Sequence, residues 1–251
     1  MPQVFDRRVR ALRAAWKRSG MEGVAMLALG SQLVPRQLLF AHDVDVLKLV
    51  ELNVPAFVAS TGAYEFSTAD ASILEELVEC TDVPVSIDRR RKRLAQALAL
   101  CASCITVRHQ GRLVAYACAF VGKYVLTYDD YGPRTLTFAL DQHAIFLGNG
   151  FIRPEYRMKG LFPHLLRNCV ERYPTGTRFF GHIDTDNVQS FNSHRRLGFA
   201  PLLTITCLGI GPARFFFQRP FGTRRRIRVE HHAALRLVEH DGGLALGTTR
   251  H

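Results

Sequence analysis

The first residues of the chain carry a helical pattern of hydrophobicity. Apolar side chains recur every three or four positions among arginines and lysines: Val9, Leu12 and Trp16. This spacing predicts a basic amphipathic helix over residues 4–18, ended by Gly20. Residues 21–52 are largely apolar but show no clear period, so the pattern assigns them no element.

The next stretch predicts two helices and the beginning of a sheet. Thr68 or Asp70 is placed to cap the first helix, and the second helix covers residues 88–102. Two β-rich runs, 105–109 and 113–121, are separated by a short turn that contains glycine. Together they predict a β-hairpin.

The second half of the chain predicts further strands around one loop that leads into a helix. The strand-like runs are 124–128, 135–140, 144–152, 178–183, 200–208 and 213–218. Residues 144–152 are mostly apolar, as expected of a strand buried in the middle of a sheet. They lead through a basic, glycine-containing loop into a helix that starts at Leu161. A shorter helix at 187–197 ends at Gly198.

Composition and charge limit the class of protein and of partner. The 251 residues are 47% hydrophobic and 22% charged, which is typical of a folded globular chain. Lysine and arginine number 33 against 22 acidic residues, so the net charge of +11 attracts anionic partners and disfavours polycationic substrates. The arginine-rich runs 89–93 and 224–228 lack the interleaved aromatic residues of nucleic-acid-binding surfaces, so we expect no nucleic-acid partner.

Several patterns bear on location and on metals. No apolar run is long enough to span a membrane, and charged residues near the start replace the apolar core of a secretory signal. We therefore expect a cytoplasmic protein with reduced cysteines. The basic helix and the residues after it also suit peripheral contact of residues 4–41 with a membrane surface. Cys101 and Cys104 lack the second cysteine pair of a zinc site, and we expect no metal.

The loop before Leu161 has the composition of an anion site. The first N–H groups of a helix have no partner within the helix and lie at the positive end of its dipole. Gly160 allows close approach to the backbone, while Arg157 and Lys159 add positive charge. A phosphate group is the ligand that such a helix start favours.

The order of two segments resembles a known family. Residues 157–162, Arg-Met-Lys-Gly-Leu-Phe, are similar to the pyrophosphate-loop motif Q/R-x-x-G-x-G/A of the GNAT superfamily of acyl-CoA-dependent N-acyltransferases. Residues 187–199 are similar to the N-x-x-A/S…G-F helix of that family. The resemblance is good over 104–218 and faint over 63–103. It departs from the family at Phe162, where Gly or Ala is usual, and at Met158, where Gly is frequent.

The resemblance implies a mixed α/β fold. Its twisted, mostly antiparallel sheet is flanked by helices and is split in a V between strands 144–152 and 178–183, and acyl-CoA lies in the split. We accordingly divide the chain into an N-terminal helical extension at 1–62, an acyltransferase domain at 63–220 and a basic tail at 221–251.

The resemblance also implies a set of residues for acetyl-CoA. The pyrophosphate would be held by the Arg157 side chain and by the backbone amides of Met158, Lys159, Gly160, Leu161 and Phe162. The main chain at Phe151 and Ile152 would orient the pantetheine and polarise the thioester carbonyl. Asn187 and Ser190 would flank the pantetheine arm.

Two histidines are the candidates for proton transfer. His194 occupies the position of the family tyrosine that protonates the departing thiolate, a role its ordinary pKa permits. An ordinary helix-surface residue is the alternative for His194. We take His182 as the base for the acceptor amine, while Asp184, His143 or a relayed water would serve the same purpose, and a structural role for His182 stays open.

These observations predict an N-acyltransferase that transfers acetyl from acetyl-CoA to a primary amine by direct attack in a ternary complex. The net charge of +11 favours a small anionic acceptor. Two alternatives remain: transfer from an acyl carrier protein, whose acidic surface would suit the arginine runs, and a GNAT-like module that binds through its basic face without catalysis. The oligomeric state is left open.

Overall fold

A computed structural model describes residues 39–53, 64–81, 85–127, 135–210, 213–222, 227–229, 234–240 and 243–249. The helix predicted at 4–18 and almost all of the membrane-contact segment 4–41 lie outside these residues. The strands are β1 Leu39–Leu49, β2 Tyr64–Ala69, β3 Ser103–His109, β4 Arg112–Val121, β5 Lys123–Thr127, β6 Thr135–Ala139, β7 Ala144–Ile152, β8 Arg178–Asp184, β9 Phe199–Ile210, β10 Ala213–Pro220, β11 Ile227–Val229, β12 Ala234–His240 and β13 Gly243–Thr249. The helices are α1 Leu74–Cys80, α2 Ile87–Leu100, α3 Leu161–Val170 and α4 Val188–Arg196.

The chain forms two compact units. The first consists of Met1–Val50, Val125–Ala139 and His182–His251, and the second of Glu51–Tyr124 and Leu140–Gly181. In the part of the chain that the structure describes, no helix is long and apolar enough to cross a membrane.

The sheet of the second unit is mixed and mostly antiparallel. β2 pairs with β3, β3 with β4, and β4 with β7, all antiparallel. β7 then pairs with β8 in parallel, from Ala144 with Arg178 to Leu147 with Gly181. Pairing between these two described strands ends there, although β7 continues to Ile152. The predicted fold class, a split mixed sheet flanked by helices, is confirmed.

Local signals account for the elements that the sequence predicted here. The β3–β4 turn has φ of 53° at Gln110 and 76° at Gly111, the positive values of a two-residue hairpin turn. Asp70 caps a single 3₁₀ turn, Ala71–Ile73, by accepting a hydrogen bond from the Ser72 N–H at 2.9 Å. The second helix begins earlier than predicted because Ser86 is its N-cap, and it ends earlier because the backbone is extended at Cys101.

Helix α3 is attached to the sheet through one apolar stripe. Leu161, Leu165 and Cys169 are four residues apart and therefore lie on the same face of the helix. They pack in a buried cluster with strand residues Ile105, Val107, Val114 and Ala115. This packing holds the N-terminus of α3 beside the end of β7.

The first unit contains two sets of paired strands. β1 pairs with β9, β9 with β10, and β10 with β11, all antiparallel. A second sheet contains β12 between β13 and β6. Residues 39–49 belong to the segment 1–62 that we predicted as a helical extension, and for these residues the prediction is wrong. Asp43 and Asp45 obscure the strand pattern in sequence, whereas in the fold Thr204 Oγ1 donates a 2.8 Å hydrogen bond to buried Asp45.

The end of β8 lies beside β1. The Thr185 N–H donates to the Asp43 carbonyl at 3.0 Å, and His42 Nε2 lies 3.1 Å from Asp184 Oδ1. Burial of the His42 ring opposes its protonation, but the hydrogen bond and charge of Asp184, aided by nearby carboxylates, outweigh that effect and raise the pKa of His42. The ion pair is half-exposed, with side-chain accessibilities of 40% and 50%.

Leu165→Ala should destabilise the protein by about 2–5 kcal/mol, because it removes a side chain buried to 2% exposure and leaves a cavity under α3. Urea unfolding would measure the loss. Val121→Ala, at a position 42% exposed, is the control and should change the free energy of unfolding by about 0.5 kcal/mol or less. Equal effects of the two variants would contradict the packing described for α3.

Asp184→Asn should lower the pKa of His42, which NMR titration of the ring would measure. A raised pKa stabilises the fold most below the unfolded value of about 6.5, and this stabilisation is lost as the pH rises through the folded pKa. The difference in unfolding free energy between parent and Asp184→Asn should therefore be largest in mild acid. Asp186→Asn should lower the pKa less, because Asp186 acts on His42 through charge alone. An unchanged pKa in Asp184→Asn would contradict the pairing.

Candidate functional site

The split in the sheet leaves one edge of β7 open. Beyond Leu147, residues 148–152 have no partner in the described part of β8. The pairing with β4 is also interrupted, since Tyr116 pairs with Phe151 and Cys118 with Gly148. Asn149 and Gly150 therefore bulge opposite Ala117 alone. The predicted pantetheine contacts, Phe151 and Ile152, lie on this open edge.

The loop after β7 makes two turns that require unusual backbone conformations. A 3₁₀ turn at Pro154–Tyr156 is followed by Met158, with φ of 60°, and Gly160, with φ of 76°. Gly160 is the N-cap of α3, and no side chain caps this helix. The first N–H groups of α3 and its positive dipole end are therefore directed at the loop.

The predicted cationic side chains are exposed on this loop. Arg157 Nε donates to the Ile152 carbonyl at 2.9 Å, and its guanidinium lies 5.4 Å from the centroid of the Phe151 ring. Lys159 Nζ lies 5.3 Å from the Tyr156 ring centroid. The Tyr156 hydroxyl is 3.1 Å from His109 Nδ1, and the two rings are also in edge contact. Tyr156 thereby attaches the loop to β3. The structure thus brings together the predicted residues from Phe151 to Phe162.

The other predicted cofactor contacts lie in the first unit, at the start of α4. Asn187 is the N-cap of this helix, and its Oδ1 accepts a hydrogen bond from the Ser190 N–H at 3.1 Å. The side-chain oxygen of Asn187 is therefore engaged within the helix. The roles of Asn187 and Ser190 toward pantetheine stay predictions.

His194 is half-buried on α4. Its Nδ1 lies 2.8 Å from the Ser190 carbonyl, and since a carbonyl only accepts, Nδ1 carries the hydrogen. Burial lowers the pKa of His194, and the bond to Ser190 offsets part of that effect. The ring is consequently neutral at pH 7, with Nε2 as a proton acceptor. A neutral His194 ring can take up a proton at Nε2 and then donate it, whereas the predicted acid role requires a ring that is protonated from the start.

The candidate bases occupy different places. His182 lies half-buried on β8, and Asp184 at the end of that strand pairs with His42. His143 directly precedes β7, at the opposite end of that strand from the loop, where its N–H donates to Asp141 Oδ1 at 2.9 Å. His143 therefore does not lie beside the loop that would hold the cofactor.

The sequence interpretation missed the bulge at Asn149 and Gly150 and the strand that carries His42. Gly-Asn-Gly inside an apolar strand is a signal for a bulge, because glycine inside a strand weakens its pairing. No group of three or more metal-ligating side chains within the described ranges is arranged to hold a metal ion. None of the six cysteines, all of which lie in the described ranges, forms a disulfide.

Some solved structures are similar in fold, at low identity. A protein described as an acetyltransferase of the GNAT family from Novosphingobium aromaticivorans is 17% identical, with a TM-score of 0.43 over 68% of this chain and 65% of that protein. A GNAT-family acetyltransferase from Colwellia psychrerythraea is 12% identical, with a TM-score of 0.42 over 72% and 56%. The ribosomal-protein-S18-alanine N-acetyltransferase from Escherichia coli is 16% identical, with a TM-score of 0.32 over 43% and 58%. The chain thus covers less than two thirds of the length of each. No curated protein sequence matches it.

The family itself is shown by the sequence model of the "Acetyltransferase (GNAT) family", which matches residues 71–199. The family uses acetyl-CoA as acyl donor, as the resemblance implied. Because the match takes in more than half of the 251 residues and contains both motifs, the chain belongs to the acetyltransferase (GNAT) family.

Proposed function

We propose that the protein transfers the acetyl group of acetyl-CoA to a primary amine of a small anionic acceptor. The observation that carries this proposal is the open edge of β7, which leads directly into an exposed loop at the N-terminus of α3. The open strand edge and the anion-binding loop follow one another along the chain. Together they suit a ligand that has amide groups at one end and phosphates at the other.

The loop would hold the pyrophosphate. The αL conformations at Met158 and Gly160 turn the backbone within three residues, and successive N–H groups in such turns make an anion-binding concavity. Arg157 and Lys159 would add charge-assisted hydrogen bonds. An α-helix capped by glycine has no side chain in the place of the phosphate.

The open edge of β7 would hold the pantetheine arm. N–H and C=O groups at a strand edge bind an extended ligand as they bind another strand. The Ile152 carbonyl already accepts from Arg157 Nε, so the arm would use the other backbone groups of the edge. Phe151 and Ile152 lie on this edge, and the 3₁₀ turn begins two residues after Ile152, so the arm and the pyrophosphate would follow one continuous path along the second unit.

The chemistry required of the protein is proton transfer. Acetyl-CoA supplies a thioester, whose C–S bond breaks as the acceptor nitrogen forms its C–N bond to the acetyl carbon. The amine loses a proton, and the thiolate gains one. We assign this proton to His194, whose neutral Nε2 takes it up and whose protonated ring releases it. His182 is the second candidate for the uptake step.

The acceptor class rests on charge. The net charge of +11 attracts an anionic molecule and repels a polycation, so an acceptor that carries carboxylate or phosphate beside its amine is favoured.

Gly160→Asp should weaken acetyl-CoA binding by about 100-fold, because it places a carboxylate where the pyrophosphate would lie. Gly160→Asn is the matched control, since Asn tolerates positive φ and has nearly the same shape without the charge. Its side chain also occupies the place of the phosphate, so it should bind acetyl-CoA more weakly than the parent but clearly more tightly than Gly160→Asp. Both residues are good N-caps, so α3 is retained. Calorimetric titration measures the affinities. Failure of the parent to bind acetyl-CoA would overturn the proposal and direct attention to a carrier-protein donor or a non-catalytic role.

His194→Gln should reduce kcat by about 100-fold or more while leaving the affinity for acetyl-CoA unchanged. In the parent, kcat should fall as the pH drops through the lowered pKa of His194, because the protonated ring no longer accepts the amine proton. This acidic limb should be absent from the pH profile of His194→Gln. The same limb in both proteins would rule out the assigned role.

A further inference from the structure

The β7 bulge carries a polar side chain that the proposed function has not used. We infer that the side-chain amide of Asn149 donates a hydrogen bond to the thioester carbonyl oxygen, with Tyr124 as the residue that positions it. This assignment rests on the proposed function and adds a catalytic side chain to it. Every residue that carries it belongs to the second unit.

Asn149 lies at the head of the open edge. It follows Leu147, the last β7 residue paired with β8, by two positions and precedes the predicted pantetheine contacts. Its φ of 50° breaks the regular alternation of side chains along the strand. The residue is partly exposed, so a ligand can reach it.

Tyr124 is held rigidly against the same part of β7. Its ring is buried to 3% exposure and stacks on Phe146, with the centroids 4.1 Å apart and the planes 5° from parallel. The edge contact to Phe120, at 4.9 Å, confines the ring from a second side. A ring clamped in this way places its hydroxyl at a defined point of the strand.

Gly148 makes this placement feasible. A Cβ at position 148 would lie 2.9 Å from Tyr124 Cε2 and 3.2 Å from its hydroxyl oxygen. Real Cβ atoms do not approach so closely, so the tyrosine lies against the β7 backbone only because residue 148 has no side chain. Glycine here allows the approach of a ring, while the adjacent Asn149 supplies the functional group.

The Tyr124 hydroxyl lies at the outer limit of hydrogen-bond distance from the Asn149 amide and biases its orientation. It donates to Asn149 Oδ1 across 3.5 Å, a long hydrogen bond that places the acceptor end of the amide toward the ring. The Nδ2 group, with its two hydrogens, is then the donor end of the side chain. A donor of this kind suits a position where negative charge develops.

In acyl transfer, such a donor would stabilise the thioester carbonyl oxygen. Negative charge develops on the carbonyl oxygen as the amine attacks, and a preoriented donor stabilises it without reorganising at that moment. A purely structural explanation is that asparagine was retained because it tolerates positive φ. The two explanations differ in what happens when the amide is removed but the backbone conformation is kept.

Asn149→Gly makes this separation, because glycine adopts a φ of 50° even more readily than asparagine. The probe is acetyl-CoA labelled with ¹³C at the thioester carbonyl, bound to the full-length protein and followed by difference infrared spectroscopy. In the parent complex, the hydrogen bond should shift the carbonyl stretch to a lower wavenumber than in solution. The shift should be lost in Asn149→Gly and Asn149→Asp, neither of which offers a side-chain N–H, and reduced in Tyr124→Phe.

Tyr116→Phe is the matched control, since it removes a tyrosine hydroxyl that bonds to Thr81 at 2.7 Å, and it should leave the shift intact. Calorimetric affinity for acetyl-CoA should stay within about threefold of the parent in all variants, because the pyrophosphate loop is unaltered. Once an acceptor is found, kcat of Asn149→Gly should fall by about 100-fold.

The outcomes separate this assignment from the proposed function. Binding by the parent with the same carbonyl stretch in parent and Asn149→Gly would overturn the role of Asn149 and leave acetyl-CoA binding in place. No binding of acetyl-CoA by the parent would overturn both. Loss of the shift in Asn149→Gly together with its retention in Tyr116→Phe would support the assignment.

Discussion

The end of pairing between β7 and β8 after Leu147 and Gly181 is the constraint on which the site depends. Residues 148–152 are partly exposed or exposed, so water can satisfy the unpaired backbone groups of this edge, and the groups stay accessible to a ligand. The bulge at Asn149 and Gly150 adds to this by interrupting the pairing with β4. An extended ligand with its own amide groups would replace the missing strand, which gives the split a physical reason.

The loop at the N-terminus of α3 also leaves backbone groups available to a ligand. A helix usually begins with a serine, threonine or aspartate whose side chain satisfies its first N–H groups. Here Gly160 leaves them without a side-chain cap, and the helix is held instead by its apolar stripe against β3 and β4. Packing energy at Leu161, Leu165 and Cys169 thereby sustains a helix end whose own capping is poor. That arrangement leaves the positive end of the helix available to an anion.

Much of this unit could be predicted because its signals are local. The β3–β4 hairpin, the apolar strand β7 and the start of α3 each depend on neighbours a few residues apart in sequence. The loop motif at 157–162 was recognised for the same reason. β1 was missed, since Asp43 and Asp45 look like surface residues until Thr204, 159 positions after Asp45, supplies a partner. The bulge was missed because it depends on the register between β7 and β4. The sequence of β7 alone does not show that register.

The sequence by itself indicated the family and the mixed fold class, and it predicted a phosphate-binding role for the loop 157–162 and, from the net charge, an anionic acceptor. These depend on residue type and short-range order, which a single chain displays directly. Tertiary structure decided the burial that lowers the pKa of His194, the pairing of His42 with Asp184 and the seating of Tyr124 against Gly148. The bond that sets the His194 tautomer is local, since Ser190 lies one helical turn away, but the other effects arise only when distant segments pack together.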